Sequence, residues 1–164
     1  MGKGDGRRSN QRTLYLVRHA HAGKRHSWDG PDAERPLSKK GGRQAEGLVR
    51  LLDVEVKRIL SSPAVRCVQT VEPLARHVGL EVQTTEALAE GAPVEPAVEL
   101  VCSLLDGGAV LCAHGDLVPE VLEWFAAHGA DVDGSQSTAK GSAWALTISD
   151  GRVTAGRYLP PPSD

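Results

Sequence analysis

Two short apolar runs that read as strands each stop at a histidine, and no other feature constrains this chain as much. Thr13-Leu14-Tyr15-Leu16-Val17 is rich in strand formers and ends at Arg18-His19, and Ala109-Val110-Leu111-Cys112-Ala113 ends at His114-Gly115. Strands this apolar are buried on both faces, which demands layers of helix above and below them. The remaining pattern supplies those layers. Ser38 is a candidate N-cap for a helix running to about Asp53, with Ala45, Leu48, Val49 and Leu52 at helical spacing. Val56 to Leu60 reads as a second strand. Ser61-Ser62-Pro63 then reads as a turn, with the proline early in a helix that runs to Val78 and stops at Gly79.

Leu80 to Thr84 is a third expected strand, followed by a loop over 85–93 and a helix from Glu95 to Leu105. Leu117 to His128 is again helical, and a polar loop runs from Gly129 to Lys140. Ala143 to Ser149 and Arg152 to Leu159 then form a hairpin across Asp150-Gly151. Strands alternating with helices imply an α/β chain, a three-layer α/β/α sandwich on a mainly parallel sheet with an antiparallel edge hairpin. We expect one domain over 13–159, between a flexible polar lead-in (1–12) and a tail from Pro160 that frays. Ligands bind beyond the carboxyl ends of the strands in such sheets. Arg18-His19, the segment Ser61 to Arg66, and His114 should therefore meet at one end.

Composition narrows the classes of partner. The chain has 164 residues, a net charge of −2 and 24% charged residues, so no global charge recruits nucleic acid or an anionic membrane. An odd count of three cysteines without a CxxC pair suits a reducing compartment, and the expected location is cytoplasmic. No apolar run approaches a bilayer span. Met1 to Asn10 is polar with no apolar stretch behind it, unlike a secretion signal. No apolar stripe is left without a core role, which favours a monomer.

Local clusters must then carry any attraction for an anion. Arg18, Arg66, His19 and His114 are the residue types that phosphoryl chemistry needs. Guanidinium forks match equatorial phosphoryl oxygens and keep their charge, and a neutral imidazole can attack phosphorus and form a covalent phosphohistidine. A second histidine stabilises the developing charge. Such a scheme needs no metal or other cofactor, because the side chains themselves supply the positive charge.

At these residues a resemblance becomes specific. Leu16-Val17-Arg18-His19-Ala20 resembles the Arg-His-Gly signature of the histidine phosphatase superfamily, with Ala20 in the usual glycine place. Arg35-Pro36-Leu37-Ser38 with Gly41 and Gln44-Ala45, the block Ser61-Ser62-Pro63-Ala64-Val65-Arg66-Cys67-Val68-Gln69-Thr70, and Ala113-His114-Gly115 resemble its further blocks in order. The short length and Arg35-Pro36-Leu37 look like the small SixA-like phosphohistidine phosphatases. Arg66 to Ala75 and Lys140 to Trp144 look like the phosphatase domain fused to some Nudix hydrolases. The chain carries no Nudix part, so the expectation is a free-standing version.

The resemblance implies a phosphoglycerate-mutase-like fold and a phosphatase, with His19 as nucleophile and His114 completing the pocket. It places Arg18 and Arg66, and further out Arg35, on the phosphoryl oxygens. Leu88-Ala89-Glu90 fits the family's acid segment, making Glu90 the candidate proton donor with Glu86 behind it. The implied partner is a phosphorylated substrate: a phosphohistidine protein, a nucleotide or a small phosphomonoester. A phosphohistidine has a nitrogen leaving group that can already be protonated, which favours it where the acid is weak.

Two other readings compete. The chain could be a phosphate- or nucleotide-binding module with little turnover. It could also be a metal-dependent hydrolase built on the His19/His21 pair, although no carboxylate or cysteine set is evident to complete the coordination. His21 and His26 are expected at the surface or the pocket rim, Trp28 at the pocket mouth or packed on its loop, and Cys67 in a structural role.

Overall fold

The computed structural model describes residues 11–52, 55–134 and 138–163. Its sheet contains β1 (Arg12–Arg18), β2 (Arg58–Ser61), β3 (Val82–Thr84), β4 (Ala109–Ala113), β5 (Asp131–Val132), β6 (Ala143–Ser149) and β7 (Arg152–Leu159). Among the described residues four α-helices accompany them: α1 (Lys39–Leu51), α2 (Val65–Val78), α3 (Val94–Cys102) and α4 (Leu117–Ala127). The strand order is β3-β2-β4-β1-β6-β7-β5. β1 to β4 pair in parallel, and β6 runs antiparallel to both β1 and β7.

The pleat sorts the core into two layers. Leu14 and Leu16 of β1 join Leu111, Trp144 and Leu146 under α3 and α4, whereas Tyr15 and Val17 join Val110, Cys112 and Ala145 under α1 and α2. Successive residues of β1 are thus apolar because both faces of the strand are covered. This is the α/β/α sandwich that the alternation of strands and helices implies.

Local chemistry sets the element ends. Ser38 caps α1, its side chain accepting from the amide of Gly41. Gly79 takes a left-handed φ of 77° to end α2. Asp150 and Gly151 both have positive φ, as a tight two-residue hairpin turn requires.

Several sequence expectations are corrected. Pro63 precedes α2 rather than opening it: Ala64 is the N-cap, and the Ser62 hydroxyl accepts from the Ala64 amide to hold the turn. α3 ends at Cys102, short of Leu105, because the next amides turn back onto carbonyls in α3. The polar loop after α4 contains β5, which pairs outside β7. Arg12 belongs to β1 opposite Ile148 and not to the lead-in, whose first ten residues lie outside the described ones, as does Asp53. In the tail, Pro162 lies against α1, where a Cβ on Gly47 would come within 2.5 Å of it. Among the described residues, no helix is long and apolar enough to cross a membrane.

Candidate active site

The carboxyl ends of β2, β4 and β1 lie side by side, so the three polar groups of the sequence converge as the strand order demands. They line an open pocket of about 470 Å³ that contains Arg18, His19, Arg35, Arg66, Glu90 and His114. Every predicted site residue is therefore brought together. The reserve acid Glu86 is exposed and does not line the pocket.

His19 is buried, and its Nδ1 lies 2.8 Å from the carbonyl oxygen of Ala20. A carbonyl only accepts, so Nδ1 carries the proton and Nε2 keeps its lone pair. Burial, then the charges of His114, Arg66 and Arg18, push the His19 pKa down to about 3 against the pull of the Ala20 carbonyl. The imidazole is thus neutral at physiological pH. Its backbone is fixed on both sides: the His19 amide donates to Ala113, and its carbonyl accepts from Gly141 at 2.9 Å.

The helix side chains of the sequence blocks hold this loop. Thr70 Oγ1 accepts from the Ala20 amide at 2.9 Å while donating to the Arg66 carbonyl. Gln44 Oε1 accepts from the His21 amide, and Gln69 Oε1 from the Leu37 amide. Ser62 Oγ lies 2.9 Å from His114 Nε2, and Cys67 Sγ lies 3.5 Å from the same nitrogen. Cys67 is wholly buried against the second histidine. The two histidine rings meet edge to face at 5.4 Å.

Arginines dominate the electrostatics. Arg66 donates through Nη1 to the Asp32 carbonyl at 2.9 Å, and through Nη2 to Asp32 Oδ2 at 3.2 Å and Glu90 Oε1 at 3.0 Å. Arg25 closes the ring by reaching Asp32 Oδ1 and Glu90 Oε2. Arg35 donates through Nε to Asp32 Oδ1 and through Nη1 to the Gly23 carbonyl. Burial works to raise the Asp32 pKa, but the Arg35 hydrogen bond and the charges of Arg66, Arg25 and Arg35 hold it below the ordinary carboxylate value. Arg18 donates to the Thr138 carbonyl at 2.7 Å.

Among the described residues, three buried side-chain nitrogens have no partner: Arg18 Nε, Arg66 Nε and His114 Nδ1. All three belong to side chains lining this pocket. Buried polar groups are rarely left unmatched, and their concentration here marks a site that completes its hydrogen bonding with a ligand.

Sequence reasoning assigned no site role to Asp32, Arg25, Lys24, Asp116 or Lys140. All lie in loops or in single-turn 3-10 helices, where no periodicity marks them; the available signals were the position of Asp32 three residues before Arg35 and the family-like stretch from Lys140 to Trp144. Trp28 packs its own loop, donating to the Pro31 carbonyl, and does not line the pocket. His21 lines the rim with Nδ1 2.6 Å from Ser38 Oγ, and His26 is exposed outside the pocket. Among the described residues, no group of three or more His, Cys, Asp or Glu side chains is placed to hold a metal ion, so His19 and His21 gain no third ligand.

A neutral histidine at the end of a central strand, surrounded by arginines and a second histidine, defines the phosphoryl-handling class of α/β proteins. The sequence pattern of the Histidine phosphatase superfamily (branch 1) matches residues 14–93, and the chain belongs to this superfamily. It is 33% identical over 159 residues to an 8-oxo-(d)GTP phosphatase of Mycolicibacterium smegmatis, a match covering 93% of this chain. The chain spans about half the length of that relative, 49%. Among solved structures, SixA from Nakamurella multipartitia superposes with a TM-score of 0.72 at 22% identity, covering 94% of this chain and 98% of the other. The protein histidine phosphatase SixA complexed with tungstate gives 0.67 at 20% identity, covering 92% and 96%. These structural likenesses establish the shared phosphoglycerate-mutase-like fold.

Proposed function

We propose that the chain is a phosphatase that acts without a metal through a covalent phosphohistidine on His19. The observation that carries this reading is the state of His19, buried and neutral with Nδ1 tied to Ala20 and Nε2 free to attack. The phosphoryl group of the substrate enters among Arg18, Arg66 and His114. Nε2 attacks phosphorus in line as the bond to the leaving group breaks, and the cationic side chains offset the charge spreading over the equatorial oxygens. In the tautomer in which Ser62 donates to His114 Nε2, His114 Nδ1 carries a proton and can donate to one of those oxygens.

Glu90 is the proton donor of this scheme. It lines the pocket on a loop separate from the nucleophile, where its carboxylate also steadies Arg66. Water then attacks the phosphohistidine and releases phosphate, splitting one difficult hydrolysis into two steps. The substrate class is a phosphohistidine protein or a small phosphorylated compound. The SixA neighbours favour the first, and the nucleotide phosphatase relative favours the second.

Turnover of p-nitrophenyl phosphate in the presence of a chelator, with the phosphoenzyme trapped in base because phosphohistidine is acid-labile, tests this directly. We expect metal-independent hydrolysis and a base-stable phosphoenzyme that is absent from His19→Ala. Full activity in that variant would refute the scheme. Phosphate binding without any phosphoenzyme would indicate a binding module, and activity abolished by chelation and restored by zinc a metal hydrolase.

A further inference from the structure

Lys140 is a charge in the pocket that the proposed chemistry leaves unused. Among the described residues its ammonium, which lines the pocket, has no ion pair or hydrogen bond of its own, whereas Arg25, Arg35 and Arg66 are answered by Asp32 and Glu90. Burial and then the charges of Arg18, Arg35, Arg25 and Arg66 lower its pKa, so all four guanidiniums act on it. Its backbone is nevertheless held firmly there. The Lys140 carbonyl accepts from Gln44 Nε2, and the next residue, Gly141, donates to the carbonyl of His19 itself and takes a φ of 83° to do so. A second ammonium without an ion pair among the described residues, Lys24, lines the same pocket.

A lone cation fixed beside four others is unfavourable unless an anion arrives to share. The transferred phosphoryl group is accounted for at the buried end by Arg18, Arg66 and His114. Lys140 and Lys24 are exposed, in a pocket whose volume of about 470 Å³ leaves room beyond one phosphoryl group. In-line attack by the buried His19 directs the leaving group away from the buried end, towards solvent.

We propose that Lys140, aided by Lys24, is a specificity-determining subsite for a second anionic group, a phosphoryl, carried by the leaving group. This rests on the reading of His19 as nucleophile. In the reaction the bond from phosphorus to His19 Nε2 forms and the bond to the bridging oxygen breaks. The electron pair departs on that oxygen with a proton from Glu90 or water, and water then displaces His19 to give phosphate. Lys140 acts by binding the departing anion, not by touching the transferred group.

The test compares kcat/KM for inorganic pyrophosphate with that for p-nitrophenyl phosphate in the wild-type protein and in Lys140→Met. The wild-type to variant ratio cancels the intrinsic reactivity of each leaving group. We expect the pyrophosphate-to-aryl preference to fall about tenfold in Lys140→Met, chiefly through KM, and to be restored in part by Lys140→Arg. Equal losses on both substrates would make Lys140 a ligand of the transferred phosphoryl group and overturn the proposal, as would no loss on either. If wild-type protein turns over neither substrate, the phosphatase reading itself has failed, a result separate from these.

Discussion

Gly115 lies directly against the guanidinium of Arg18: a Cβ placed on it would come within 2.5 Å of Arg18 Cζ and 2.7 Å of Nε. The glycine after the second histidine is therefore a matter of room for the first arginine. Gly115→Ala should push Arg18 aside. Because the obstructing atoms are the end of a flexible side chain, the fold should lose little. Displacement of a phosphoryl ligand by about 1 Å is expected to lower kcat/KM roughly 10²-fold. The check is a pair of measurements, a thermal midpoint near that of the wild type and a large loss of aryl phosphate turnover.

Asp32 holds three arginines at once, and its removal should be felt at all of them. In Asp32→Asn, the buried Arg66 keeps Glu90 but loses its other charged partner. We expect kcat/KM to fall about 10- to 100-fold, with phosphate and vanadate inhibition weakened in parallel. Asp32→Glu should recover part of both. Unchanged inhibition constants would show that Arg66 does not need this anchor.

Glu90 has two roles that a choice of leaving group separates. Nitrophenolate departs readily without a proton, whereas an alkoxide does not. Glu90→Gln keeps an oxygen for Arg66 but cannot donate a proton as an acid. The loss should therefore be larger on β-glycerophosphate, on the order of 10²-fold, than on p-nitrophenyl phosphate. Equal losses on the two substrates would assign Glu90 to positioning alone.

The neutral His19 also makes stability depend on acid. Its pKa is about 3 folded against an ordinary 6.5 unfolded. Between these values the unfolded chain binds a proton that the folded chain does not, so stability falls as pH drops from 6.5 towards 3 and is flat with respect to this group above 6.5. His19→Gln should unfold at a lower pH than the wild type. In the wild-type protein, imidazole ¹⁵N spectra should show His19 as the Nδ1–H tautomer with no titration between pH 8 and 5.

Much of this site was legible in the sequence because the features that locate it are periodic or terminal. Strands β1 and β4 announce themselves as apolar runs, and His19 and His114 are legible because they interrupt those runs at the functional end. Ser38 could be read as a helix start and Gln44 as part of a family-like block, although their service to His21 could not. The loops were opaque for a physical reason. Asp32 and Lys140 act through contacts with residues far along the chain, and neither propensity nor spacing encodes such contacts. β5 is two residues long and exists only because β7 is there to pair with it. Pro63 was misplaced because a proline fits equally well in the turn before a helix and in its first turn.

The place of β1 in the sheet has a consequence for how the protein becomes competent. β1 pairs with β4 through Leu16 and Leu111, and with β6 through Leu16 and Trp144, so its neighbours come from far along the chain. The loops between such partners must close before any contact rewards them, which slows folding. The backbone supports of His19 come from the same late arrivals, Ala113 and Gly141. A partly folded chain can hold its early helices and still have no pocket. Recovery of turnover after dilution from denaturant should therefore lag behind recovery of helical signal, making activity a clock for the last pairing event of the sheet.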